Sequence, residues 1–144
     1  MKKVLCDFEI YPYHIDFIGH VSNIVYIQWM EMARCKLLEE IGLPVHQIAE
    51  QGFVPVLVHT EIDYKQPLYL GETAHIKMWI TELKNVSAVM KFCFYKEGSL
   101  VAEGYQKGLF IDRVTLRPKK LTPEQRDLFN PYLDAEAHVK SLLK

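Results

Sequence analysis

The sequence predicts an α+β domain in which one antiparallel sheet is covered by one long apolar helix. Three observations predict it. Apolar residues at helical spacing fill positions 23–41. Four segments rich in β-branched and aromatic residues follow, separated by short turn signals. One further strand-like segment precedes the helix. A sheet with a helix to bury its apolar face is a stable layer design.

The elements follow in order. Val4 to Tyr13 alternates as a strand does and ends at Pro12-Tyr13. His14 to Asn23 contains Gly19, Ser22 and Asn23 and reads as a loop. Asn23 to Ile41 reads as a helix, because Tyr26, Met30, Ala33, Leu37 and Ile41 recur every three or four residues. Ile24, Val25, Ile27 and Trp29 widen the apolar face in the first half, as in a buried helix. Gly42 and then Pro44 stop it. Val45 to Gln51 has the pattern of a further helical turn or two.

After Gly52 the strands begin: Val54 to Tyr64, Thr73 to Leu83, Ser87 to Tyr95 and Leu100 to Asp112. The short connections at Lys84-Asn85 and Glu97-Gly98 make the last three an antiparallel meander. Thr122-Pro123-Glu124-Gln125 opens a C-terminal helix with a capping box, and Asn130-Pro131 breaks it. Asp134 is placed to cap a final helix to Leu143. The sheet's second face needs a cover of its own, so a partner subunit is expected, as a homodimer or homotetramer.

Bulk properties narrow the function. The 144 residues suit one domain, and the net charge of -1 gives no basic surplus for nucleic acid. No stretch approaches the ~18 apolar residues of a membrane span. The start, Met1-Lys2-Lys3-Val4-Leu5-Cys6-Asp7, does not read as a signal peptide. Cys6, Cys35 and Cys93 are distant and odd in number, which argues against a disulfide framework and fits a reducing, cytoplasmic setting. No metal-ligand spacing, GxGxxG or P-loop is present, so the reading requires no metal or cofactor.

The segment that carries chemistry is His14-Ile15-Asp16-Phe17-Ile18-Gly19-His20-Val21-Ser22-Asn23. It sets a carboxylate and a glycine just ahead of an apolar helix. A helix N-terminus presents unpaired N–H groups and partial positive charge. Such a terminus can stabilise an oxygen that turns negative during reaction. A carboxylate beside it can attack a carbonyl or deprotonate water. Gly19 lets the chain turn and a ligand approach. The alternative is structural: Asp ahead of a helix is common as a cap or Asx-turn residue.

Asp16-Phe17-Ile18-Gly19-His20-Val21-Ser22-Asn23, then Tyr26, Glu31 and Ala33-Arg34, resembles the signature of the 4-hydroxybenzoyl-CoA-thioesterase-like family. Ile62-Asp63-Tyr64-Lys65-Gln66-Pro67 and Ala102-Glu103-Gly104 resemble later parts of it. The resemblance runs to about Pro118. It implies a hotdog fold, in which the antiparallel sheet wraps around a long central helix. One domain over 1–144 is then expected, with a core to about 118 and a helical extension over 119–144. It also implies an acyl-CoA thioester hydrolase. Asp16 matches the family's catalytic aspartate, and Asn23 the position whose backbone N–H polarises the thioester carbonyl. Lys84 falls near a basic cluster that holds the phosphates of coenzyme A in some members, but Asn85 and Val86 replace the expected cations. His14 stands where many members carry a second Asp.

Other residues have two readings each. His20 orients Asp16 or the substrate, or is a loop histidine bonded to backbone. Glu31 is a rival base, or pairs with Arg34 at i, i+3. His59 lines the substrate site, or is a satisfied core histidine. Tyr26 and Trp29 contact the acyl group, or pack the core. Cys35 lies inside the helix with no base adjacent in sequence, which argues against a nucleophile. Two other functions remain open: a dehydratase or hydratase of the same fold using His20 or His59, and a non-catalytic acyl-CoA-binding module.

Overall fold

Helix α1 spans Asn23–Glu40 and buries Val25, Tyr26, Trp29, Met30, Ala33, Leu37 and Leu38. These recur at spacings of three and four, so they form one stripe, and that stripe lies on a sheet. A computed structural model describes residues 1–135. The sheet has five antiparallel strands: β1 (Val4–Glu9), β2 (Val54–Tyr64), β3 (Thr73–Leu83), β4 (Ser87–Lys96) and β5 (Ser99–Ile111). Their spatial order is β1-β3-β4-β5-β2. The meander β3-β4-β5 is as the turn signals predict. The strands on either side of α1 in sequence, β1 and β2, take opposite edges.

The inner face of the sheet meets α1 through Ile76, Met78 and Ile80 of β3 and Met90, Phe92 and Phe94 of β4, all in one buried cluster with the helix residues. Phe92 and Phe94 are 0% exposed. Truncating either to Ala should cost roughly 3–5 kcal/mol. The helix comes close to β5 at Gly104, where a Cβ would lie 2.4 Å from the Glu61 carbonyl oxygen and 3.1 Å from Met30 Cε. No side chain fits there without moving backbone.

Two expectations change. β1 ends at Glu9, not Tyr13, because Pro12 starts a 3-10 turn over Pro12–His14 that takes the chain out of the sheet. The last strand reaches from Ser99 to Ile111. The protein's own side chains lie over the outer face of the sheet. Long side chains cover it: Lys3 Nζ lies 4.1 Å from the Trp79 ring centre, Lys91 Nζ 5.3 Å from that of Tyr105, and His75 Nδ1 2.6 Å from Asp7 Oδ1. Val89 and Cys93 are buried beneath them. Exposed apolar residues cluster elsewhere, on the β2 edge (Leu57, Val58) and around the loop before α1 (Phe17, Ile18, Ile24).

Helix α2 (Pro123–Phe129) has the expected capping box: Thr122 Oγ1 accepts from the Gln125 N–H at 3.1 Å, and Gln125 Oε1 accepts from the Thr122 N–H at 2.9 Å. Phe129 and Tyr132 join the core, so the stretch beyond Pro118 packs into it. The final helix expected from Asp134 to Leu143 lies outside the described residues.

Candidate active site

Ile15 and Val21 pair as an isolated bridge, and the chain between them folds into a tight turn. The Asp16 N–H donates to the His20 carbonyl at 3.0 Å, and the Gly19 N–H donates to the Asp16 carbonyl at 3.1 Å. Gly19 has φ +100°, a left-handed conformation that strains a residue with a Cβ. Asp16 Oδ1 accepts the Ile18 N–H at 2.9 Å, which is an Asx turn. The structural role weighed for Asp16 is therefore real. It engages Oδ1 and fixes the orientation of the carboxylate.

The turn is tied down on two sides. The Val21 N–H donates to the Leu68 carbonyl at 2.8 Å, and the Ser22 N–H donates to the His14 carbonyl at 2.9 Å. His14 Nδ1 accepts the Tyr11 N–H at 2.9 Å, and its ring meets Trp29 edge-on at 5.7 Å. Burial pushes the His14 pKa down.

The chain then enters α1. Ser22 is the N-cap, but its side chain makes no capping bond. The helix start is held from β2 instead: the Tyr64 hydroxyl donates to the Asn23 carbonyl at 2.9 Å. Within this first turn the Val25 N–H donates to the Ser22 carbonyl at 3.0 Å, and the Asp16 turn leads directly into this end of the helix. Sequence reasoning missed Tyr64. It stood within a stretch valued only for its resemblance to a strand and turn.

The other candidates separate. His20 is half-buried, with Nδ1 3.4 Å from the Val21 carbonyl oxygen and its ring against Tyr69; it touches Asp16 only through backbone. Tyr26 is 2% exposed and packs edge-on against Tyr64, Phe94 and Trp29. Burial, then Tyr64 and Glu72, push its pKa up to about 12. It is a core residue and presents no surface to substrate. His59 is a further correction. It pairs with Lys107 across β2 and β5 on the outer face, away from α1, and lies 3.2 Å from Glu61 Oε1. A bulge between Leu57 and His59 fixes that parity.

Lys84 is displaced as well. It sits in the β3–β4 turn, 3.8 Å from Glu82. The Asp16 turn adjoins the other end of β3, where the Ile10 N–H donates to the Glu72 carbonyl. The length of β3 separates the two, about 33 Å at ~3.3 Å per residue. Within one chain Lys84 does not reach the Asp16 site. Glu31 lies on the exposed side of α1, 3.9 Å from Arg34, as in the helix-pair reading. The Arg34 guanidinium donates to Gln106, whose amide donates to Thr60 at 3.2 Å. Among the described residues no cluster of His, Cys, Asp or Glu could hold a metal ion. No helix there is long and apolar enough to cross a membrane.

Residues 10–129 match the family model of the thioesterase-like superfamily. The chain belongs to that superfamily. As a member it is a thioester hydrolase. YneP of Bacillus subtilis, assigned as an acyl-CoA thioesterase, is 28% identical over 72% of this chain and 75% of its own length. The long-chain acyl-CoA thioesterase FadM of Escherichia coli is 28% identical over 80% of this chain and 88% of its own. The 1,4-dihydroxy-2-naphthoyl-CoA hydrolase of Prochlorococcus marinus is 26% identical over 76% of each. The DHNA-CoA thioesterase of Staphylococcus aureus superposes with a TM-score of 0.83 at 20% identity, covering 99% of this chain and 93% of that one. The thioesterase fold is thus the expected hotdog, with α1 as its central helix.

Proposed function

We propose that the protein hydrolyses an acyl- or aroyl-CoA thioester to the free acid and coenzyme A, with Asp16 as nucleophile or general base. The observation that carries this is the Asp16 turn leading directly into the uncapped start of α1. The thioester carbonyl oxygen sits on the N–H groups near Asn23, where the helix terminus stabilises the negative charge of the tetrahedral intermediate. As a base, Asp16 takes a proton from water as its oxygen joins the carbonyl carbon. As a nucleophile it forms a mixed anhydride that water then opens. In either route the C–S bond breaks, the thiolate of coenzyme A leaves and is protonated, and the acid remains. Relatives acting on long-chain acyl-CoA and on a naphthoyl-CoA support both substrate types.

A homo-oligomer belongs to this reading. Strand β2 is an edge of eleven residues with Leu57 and Val58 exposed, the kind of edge that pairs with another chain. A cytoplasmic location does too: none of the three cysteines is in a disulfide.

Thiol release from a panel of short, long and aromatic acyl-CoAs tests the reading. Free thiol is expected from at least one class. Water addition to an enoyl-CoA without thiol release would point to a hydratase. Stoichiometric binding with neither reaction would point to a binding module. The hydratase reading has less support, since His59 faces away from α1 and His20 Nδ1 lies 3.4 Å from the Val21 carbonyl oxygen.

A further inference from the structure

A groove of about 210 Å³ opens between the second half of α1 and the β2–β5 side of the sheet. Arg34 and Leu38 form its helix wall, Met90, Gly108 and Phe110 its floor, and Phe129 of α2 its end. The Asp16 mechanism uses none of these residues. We infer that this groove is the acyl-chain subsite, and that Gly108 and Phe129 set the length of chain it takes. The inference rests on the thioesterase reading of the Asp16 site.

Three features commit the groove to an alkyl chain. Its position comes first. Asn23, Ile27, Glu31, Arg34 and Leu38 follow one another at spacings of four and three, so they share one stripe of α1. That stripe leads from the helix start to Glu31, two turns and about 12 Å away at ~1.5 Å per residue, where the groove begins. Its lining comes second. Glu31 and Arg34 put charge at the mouth, and Gln106 holds the guanidinium to one side. Beyond them the walls are apolar, and Phe110 and Phe129 close the end with ring centres 5.8 Å apart. Size comes third. The space holds about seven groups the size of a water, at ~30 Å³ each, and a methylene is close to that size.

Gly108 is the sensitive position. A Cβ built on it lies 3.5 Å from the Val56 carbonyl oxygen and 3.9 Å from Met90 Cε, which is ordinary contact. A larger residue therefore fits the backbone, yet stands in the groove beside Met90. Phe129→Ala would do the opposite and lengthen the groove at its end.

The test has a kinetic and a binding arm. Thiol release is measured for wild type, Gly108→Val and Phe129→Ala on saturated acyl-CoAs from butyryl to stearoyl. Wild type should favour chains long enough to reach the groove. Relative to its own rate on butyryl-CoA, Gly108→Val should lose at least about tenfold in kcat/KM on long chains, since each methylene in such a pocket is worth on the order of fourfold. Phe129→Ala should move the optimum towards longer chains. In the binding arm, dodecanoyl-CoA is titrated into Asp16→Ala and into Asp16→Ala with Gly108→Val, and the second protein should bind at least about tenfold more weakly. Parallel chain-length profiles for wild type and Gly108→Val, or equal dodecanoyl-CoA affinity, would overturn the groove assignment alone. Absence of thiol release from every wild-type reaction, with the binding difference intact, would overturn hydrolysis and leave the groove standing.

Discussion

The C-terminal end of α1 is closed, whereas its N-terminal end is left open. At the closed end the Leu43 N–H donates to the Leu38 carbonyl at 2.8 Å, Gly42 turns left-handed at φ +83°, and Ile41 and Leu43 bury themselves beneath. The Tyr132 hydroxyl adds a bond to Glu40 at 2.7 Å. At the open end Ser22 makes no side-chain cap, Phe17 is 98% exposed, and the Asp16 turn leads into the helix. A helix terminus that is capped and buried serves stability. One that lacks a side-chain cap has capacity for a ligand. The contrast predicts that substitutions at one end change rate, and at the other end stability.

The largest effect should come from Asp16→Ala. Removing the base or nucleophile should lower turnover on the best acyl-CoA by about a hundredfold or more, measured as thiol release. At the closed end, Gly42→Ala should leave kcat intact and cost about 1 kcal/mol in denaturant unfolding, because a Cβ is strained in the left-handed region. Tyr64→Phe removes the hydroxyl that holds the Asn23 carbonyl. It should cost about 0.5–1.5 kcal/mol, with a modest fall in rate, because it loosens the open end without removing a reacting group.

The smallest effect concerns pH. The His14 pKa is lowered by burial, so the unfolded chain takes up a proton at higher pH than the folded one. The stability that neutral His14 contributes is present above the unfolded value near 6.5 and is lost as pH falls below it. His14→Gln should flatten thermal stability across that window. An unchanged slope would remove His14 from the account.

Much of this was legible in the sequence. Helix period, turn residues and the capping box at Thr122 are local signals, and they place α1, the β3-β4-β5 meander and α2. Asp16, Gly19 and Asn23 are close in sequence, so their juxtaposition needed no knowledge of the sheet. The end of β1, ahead of Pro12, is a local misreading; the larger displacements are non-local. His59 lies on the outer face because a bulge at Val58 sets the parity of β2, and a single sequence does not show a bulge. Lys84 lies about a strand's length from Asp16 because the order β1-β3-β4-β5-β2 puts the β3–β4 turn at the other end of the sheet. On the outer face, Lys3 over Trp79 and Lys91 over Tyr105 are contacts between segments that a single sequence does not show. Tyr64 and the groove beside Arg34 arise where β2 and β5 meet α1, and only the fold brings those segments together.

The most direct test of the central claim is Asp16→Asn. The asparagine side-chain oxygen can still accept the Ile18 N–H, so the Asx turn and the start of α1 should survive. Thiol release and thermal unfolding are measured on the same preparation. The account predicts a loss of about a hundredfold or more in turnover with an unchanged melting temperature. Undiminished hydrolysis by a folded Asp16→Asn protein would contradict it and return Asp16 to the role of a turn residue.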